Sequence, residues 1–283
     1  MAMLNTIETA VDSNVSLEER ARRTPPHPLR RFYVAHDRAI LGWSAVAIFL
    51  VLWQWAGSTG VVNPMFSSTP VDVWKAFIKL AQGELLTDFF VSGQEFLWGF
   101  GLAVLVGIPL GVLMGWYRPL DYILDPFVSF MYATPRVALL PLMIIWLGIG
   151  IQSKVAFVFL GAVFSILINT VTGVKNLDAN LIRAAHSFCA SDVQIFKTIA
   201  LPGSVPYILG GIRLGLGHAL IGVVVGELYG AEKGLGRMIA VAGNTFQTDK
   251  VFVGVIIIAA GGVLISMLFQ RLENHFQSWR PGR

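Results

Sequence analysis

Long apolar stretches separated by short polar breaks begin at about residue 39 and continue almost to the C-terminus. Six of them approach the roughly 20 residues that a helix needs to cross a bilayer. They cover about 39–58, 92–116, 124–148, 154–174, 204–228 and 251–270. Pro135, Arg136 and Pro141 interrupt the third. That pattern predicts an interfacial helix that breaks near Pro135 and resumes through Leu147. Between the first and second stretches the chain turns more polar. There Thr69 caps and Pro70 opens an amphipathic helix, with Trp74, Phe77, Ile78 and Leu80 on one side, expected on the outer membrane surface.

The longest polar run in the hydrophobic second half is 177–202, LDANLIRAAHSFCASDVQIFKTIALP. Asp178 can cap a first short helix and Ser191 or Asp192 a second, because their side-chain oxygens accept free N–H groups of the first turn. In the second piece Val193, Phe196, Ile199 and Ala200 recur at helical spacing. Pro202 is expected to stop it. Two short amphipathic helices between spans suit a docking element, since a connector needs only a few residues.

Composition agrees with the spans. The 283 residues are 55% hydrophobic and 13% charged, with mean hydropathy +0.66, whereas soluble domains carry about 25% charged residues. The net charge of +4 is modest. The basic residues sit mostly at span ends rather than in a stripe that would take nucleic acid. Cys189 is the single cysteine, which excludes an internal disulfide and a multi-thiolate metal site.

Residues 1–38 are polar, with Arg20, Arg22, Arg23, Arg30, Arg31 and Arg38, the turn-rich Pro25, Pro26, His27 and Pro28, and a capping-box pair in Ser16 and Glu19. No cleavable signal is evident, because the first hydrophobic run begins too late for a typical n-region. The expected organisation is a cytoplasmic arm at 1–38, the first span and external helix at 39–88, a core transmembrane domain at 89–271, and a cytoplasmic tail at 272–283. With the N-terminus inside, inner segments hold the tail arginines, Arg118, Lys175, Arg183, Lys197, Arg271, Arg280 and Arg283. Outer segments hold Lys75, Lys79, Lys154, Lys233, Arg237 and Lys250. This bias puts both termini and the 177–202 run in the cytoplasm.

Gly99, Ala103, Gly107, Gly111 and Gly115 recur every four residues in the second span. The fifth repeats the device with Gly211, Gly215 and Ala219, then Gly222, Gly226 and Gly230. Small residues in such rows let helix backbones approach closely. Polar residues inside spans mark candidates for a translocation path, because they are costly unless they face a cavity or a partner. The candidates are Arg136, Asn169, Thr170, His218 and Glu227, followed by Glu95 and Arg213. Glu95, Glu227 and Arg213 lie near span ends, where snorkelling or a bond to a neighbouring loop accounts for them. His218 has no second His or carboxylate at metal-ligand spacing and is expected to be packed and hydrogen-bonded.

No phosphate loop of the form G-x-x-x-x-G-K-[ST] occurs, and no H-E-x-x-H or G-x-S-x-G. The two halves do not read as inverted repeats with matching broken spans. A pore-forming chain with a docking loop and no motor implies a motor on a partner.

The 177–202 run resembles the EAA coupling motif of membrane permeases in bacterial ABC importers: EAA, three residues, G, about nine residues, then a hydrophobic residue and LP. Ala184, Ala185, Ala190, Phe196, Leu201 and Pro202 match it. Arg183 stands where the family usually has Glu, and Cys189 where it usually has a Gly that permits a left-handed backbone. From about residue 90 onward the chain is similar to the six-span type I ABC permeases that import nitrate, sulfonates or taurine and related small solutes. GIPLGVLMG (107–115), TPRVALLPLMIIWLGIG (134–150), INTVTGVKN (168–176), LPGSVPYILGGIRLGLG (201–217) and GELYGAEKGLG (226–236) carry the likeness.

The resemblance implies an all-α integral membrane protein of the type I ABC permease fold, with about six transmembrane helices and a cytoplasmic coupling-helix loop. It implies a bacterial inner-membrane location, a second permease chain (an identical copy), a cytoplasmic ABC ATPase dimer and a periplasmic solute-binding protein. It implies no catalytic residue, metal or cofactor in this chain, with Mg-ATP on the partner ATPase. Coupling would rest on Arg183, Ala184, Ala185, Cys189, Ala190, Ser191, Phe196, Leu201 and Pro202. Phe196 and its apolar neighbours would pack toward the membrane domain or the motor's groove. An ATP-independent channel or secondary carrier, and more remotely an integral membrane enzyme, are the competing readings; no convergent set of nucleophile, base and acid supports the latter.

Overall fold

The computed structural model describes residues 28–60 and 66–276, with side chains over 40–60 and 66–271. The tail arginines, the Ser16 and Glu19 pair and the last seven residues lie outside the described side chains. Among the described residues every regular element is a helix. Contacts divide the chain at Val61 and Val62 into two units.

The first unit holds α1 (Pro28–Ser58), of which Ile40–Ser58 is apolar enough to cross a membrane. Trp43, Phe49, Val51 and Trp55 leave its surface exposed within the unit. That suits a helix whose solvent is lipid.

The second unit begins with α2 (Pro70–Ala81). Thr69 caps it and Pro70 supplies the first helical residue, as the sequence predicts, and Asp72 completes a capping box. Val73 and Ala76 are buried, while Trp74 and Ile78 point outward and Trp74 stacks on Phe77 with ring centroids 5.5 Å apart. The larger residues lie on the outer side because protein packing here has room only for small ones, and lipid accepts the rest.

Three long helices form the core: α3 (Leu85–Trp116), α6 (Ile151–Lys175) and α9 (Leu201–Leu228). The middle one, α6, is packed between the other two. Phe96, Phe100 and Ala103 of α3 meet Val158, Ala162 and Ile166 of α6, which meet Ile212, Leu216 and Ala219 of α9. The glycine rows do what their spacing predicts. A Cβ on Gly111 would lie 2.7 Å from the Cβ of Thr170 and 2.8 Å from the carbonyl of Leu167, and one on Gly215 would lie 2.9 Å from Ile166. Only hydrogen fits in these seams.

Between α3 and α6 the chain makes α4 (Arg118–Ala133) and α5 (Arg136–Leu147), bent by 99° at Thr134 and Pro135. This is the broken third span read from the prolines. Lys175 at the end of α6 holds Asp121 in the first turn of α4 at 2.6 Å. Two short pieces, α7 (Ala179–Ser187) and α8 (Asp192–Ile195), then lead through a wide π turn at Phe196–Ala200 into α9. Here the sequence reading is corrected, because Pro202 does not stop the second helix. The helical path runs unbroken from Asp192 to Leu228. Proline lacks an N–H and its ring crowds the carbonyl four residues earlier, and the widened turn, with Leu201 N–H donating to the Phe196 carbonyl, makes room for it.

Next come α10 (Leu235–Asn244), an amphipathic helix, and α11 (Thr248–Phe276). Among the described residues five helices are long and apolar enough to cross a membrane, and six if the bent α4–α5 pair counts as one span.

The seams are directly testable. Gly111→Ala is expected to lower the detergent melting temperature, at a cost of about 1–3 kcal/mol for overpacking. Gly101→Ala, where a Cβ meets nothing within 4 Å, leaves it unchanged or raised. Equal melting temperatures would refute seam packing as the determinant.

Candidate functional site

The docking loop is built from local signals. Asp178 caps α7 by accepting from the N–H of Asn180 at 2.8 Å. Two residues past the end of that helix, the chain reverses through a left-handed residue. The N–H of Ala190 donates to the carbonyl of Ala185 (3.1 Å) and that of Cys189 to His186 (2.9 Å). These two bonds form a Schellman closure with Cys189 at φ 56°. A side chain in that region costs about 1–2 kcal/mol relative to glycine, so the backbone here is the one the usual Gly would adopt. Ser191 and Gln194 then form a capping box on α8, with the Ser191 N–H donating to Gln194 Oε1 at 2.8 Å. Ser191, rather than Asp192, is the cap.

Arg183, Ala184 and Cys189 are exposed, Ala185 and Ala190 half-buried. Arg183 donates to Asn180 Oδ1 at 2.6 Å within its own helix. Phe196 turns toward the membrane part, its ring edge-on to Trp116 at 5.1 Å. Leu201 and Pro202 sit at the root, where the π turn joins α9. The apolar surface the loop presents outward is instead Leu181, Phe188 and Val193, with Phe188 85% exposed. The sequence reading missed Phe188; its signal was an aromatic directly before the left-handed position, where a helix end projects it. A cleft of ≈ 520 Å³ opens behind the loop, lined among others by Leu177, Leu181, Ile199 and Tyr207.

The candidate path residues fall into three places. Arg136 opens α5 at the bend and donates from Nη1 to the carbonyl of Gly161 at 2.7 Å, near the middle of α6. His218 of α9 shares a 2.8 Å hydrogen bond between Nδ1 and Ser165 Oγ. Asn169 donates from Nδ2 to the Ser165 carbonyl at 2.8 Å. These residues share one face of α6. Thr170 stands apart, fully buried against Gly111 with its hydroxyl returned to the Ile166 carbonyl at 2.7 Å.

Glu227 also stands apart, at the end of the bundle opposite the docking loop, where it fastens α10. Its carboxylate accepts from Ser92 Oγ at 2.6 Å and from the N–H of Gly236 at 2.5 Å. Asp88 accepts from the N–H of Gly234 at 2.8 Å, and Ser92 accepts from that of Leu235 at 2.9 Å. Three N–H groups at the start of α10, where the helix dipole is positive, are thus met by buried side chains. Gly234 has φ 125°, and a Cβ there would overlap the Glu227 carboxylate. Lys154 closes the same loop by donating to the carbonyls of Ile149, Gly150 and Gly230. Glu95 is buried beside this cluster. Asp88 and Ser92 were missed, although with Glu95 they mark one helical face at spacings of four and three.

Comparison with known proteins places this architecture. A family model described as "binding-protein-dependent transport system inner membrane component" matches residues 107–278. The chain is 37% identical over 235 residues to the Bacillus subtilis (strain 168) protein named as an aliphatic sulfonates transport permease, SsuC, covering 83% of this chain and 85% of that one. It is 32% identical over 245 residues to the taurine transport system permease protein TauC of Escherichia coli (strain K12), covering 84% and 89%. Among solved structures, an amino acid ABC transporter described with histidines aligns with TM-score 0.56 at 16% identity, over 72% of this chain and 96% of that one. An inward-facing MetNI methionine ABC transporter aligns with TM-score 0.52 at 20% identity, over 65% and 95%. The chain belongs to the binding-protein-dependent inner-membrane permeases of ABC transporters, with their type I fold.

Proposed function

We propose that the chain forms the translocation pathway of an ATP-driven importer for small organic sulfonates and related anions. Two copies would enclose the path, a binding protein would deliver solute from outside, and a cytoplasmic ATPase dimer holding Mg-ATP would dock on the 177–202 loop. Both termini would lie in the cytoplasm. The observation that carries the coupling reading is the outward apolar face of Leu181, Phe188 and Val193 on a loop outside the spans. An exposed apolar patch of this kind marks a protein contact. The identity shared with relatives named for sulfonate and taurine transport supports the solute class.

The loop is built to transmit force. The elbow between its two helices is fixed by the Schellman closure and the capping box, and its second helix continues into α9 without a joint. Closure of the ATPase dimer would move the loop, and α9 would carry that motion past the middle of α6 to the far end. No part of this chain needs to touch the nucleotide.

Phe188→Asp is expected to abolish co-purification of the ATPase and to cut uptake at least tenfold, about 1.4 kcal/mol or more at a contact hot spot, with the melting temperature unchanged. Retained ATPase binding would remove Phe188 from the interface. Phe196→Asp is expected to lower the melting temperature as well, since it loses the Trp116 contact; an unaltered melting temperature would deny it that rooting role. In proteoliposomes holding the whole complex, uptake of ethanesulfonate is expected to need ATP and to stop with vanadate. Uptake that follows an ion gradient and ignores vanadate would replace this reading with a secondary carrier.

A further inference from the structure

Arg136 presents an electrostatic problem that the fold leaves open. It sits at the α4–α5 bend against the middle of α6, where it bonds to the Gly161 carbonyl and lies 5.6 Å over the Tyr132 ring. Neither carries a full negative charge. Asp72 pairs with Lys75 and Asp121 with Lys175, and among the described residues no carboxylate answers the guanidinium. A cation at membrane depth is expensive unless it meets a partner or a water-filled space. A guanidinium also carries five N–H donors, of which one bond uses one.

The surroundings supply further polar groups on the same patch. Gly161 lies against the backbone of His218, where a Cβ would be 3.2 Å from the His218 carbonyl oxygen. One turn along α6, Ser165 holds the His218 ring. Arg136 and His218 are both half-exposed, so a solute can reach them. The tight Gly161 contact and the Ser165 bond hold α6 and α9 in register beneath the arginine.

We propose that Arg136, with the Ser165–His218 pair beside it, is a binding station for a small oxoanion partway through the membrane, a sulfonate in the first instance. The planar guanidinium can donate two parallel N–H bonds to two oxygens of a sulfonate. The Ser165–His218 pair keeps one donor for a third oxygen, the hydroxyl when Nδ1–H donates to it or Nε2–H when the hydroxyl donates to Nδ1. The station rests on the reading of the chain as an anion importer. Its single fixed cation is strong enough to attract an anion yet leaves it no second charge to escape from.

The test uses two readouts on the same variants. The first is ATP-driven uptake of radiolabelled ethanesulfonate by the complete complex in proteoliposomes. The second is protection of a cysteine placed at Asn169, in a Cys189→Ser background, against a maleimide by ethanesulfonate or nitrate, with neutral ethanesulfonamide as control. Arg136→Gln is expected to cut uptake by at least about 30-fold, the order seen when one member of a desolvated charge pair is removed, and to abolish protection. Arg136→Lys should fall between, since it keeps the charge and loses the fork. Co-purification with the ATPase and an unshifted melting temperature show that each variant is folded. Protection that is absent in the wild type, equal for ethanesulfonamide, or unchanged in Arg136→Gln overturns the station. If the wild-type complex fails to import ethanesulfonate while Arg136-dependent protection persists, the sulfonate-import reading falls and the station stands.

Discussion

Between α3 and α6, and again between α6 and α9, the gap is too narrow for a methyl group. The hydrophobic effect that drives helices together in water is absent between helices already in lipid, so close packing must hold this core. Gly111 against Thr170 and Gly215 against Ile166 show how that is done, with side chains removed so that backbones meet. Every functional group described above is placed by this triad. The bend that carries Arg136 leans on α6, the loop that carries Phe188 leaves α6 and enters α9, and the cluster around Glu227 joins α3 to α9.

The two ends of the bundle use polar groups in opposite ways. At one end the docking loop spends few tertiary bonds and leaves its apolar residues facing outward. At the other, Asp88, Ser92 and Glu227 bury their polar atoms to pin three N–H groups of α10, and Lys154 ties down the carbonyls of the facing loop. A half-satisfied polar network in lipid would be worse than none. Density of bonding at that end makes it the firm one, and the loop end the adaptable one.

Much of this was legible in the sequence, for reasons that can be named. Span positions followed from apolar length, the break at Pro135 from proline sterics, the start of α2 from Thr69 and Pro70, and the seams from glycine spacing. All of these are local rules. What escaped reading depended on distant partners. Pro202 looked like a stop because proline ends helices in isolation, and nothing local announces that a π turn will carry the helix past it. Glu227 was half legible: its place near a span end suggested a bond to a neighbouring loop, which Gly236 supplies, but its partner Ser92 lies 135 positions earlier. Phe196 and Phe188 carry similar apolar weight, and only the position of Trp116 shows which one faces inward.

The unbroken path from Asp192 to Leu228 spans 37 residues, on the order of 55 Å at the α-helical rise. A helix advances about 100° per residue, so the angular setting of the docking surface is fixed by a count of residues rather than by a flexible tether. Adding or removing one residue between the capping box and the membrane would swing Val193 and Phe188 through more than a quarter turn while leaving every contact of α9 intact. The wide turn at Phe196–Ala200 is the one place where that phase is already offset. The segment joining loop to membrane therefore behaves as a gear whose teeth are residues. Outside rooted residues such as Phe196, a change in length there would disturb docking more than a change in composition.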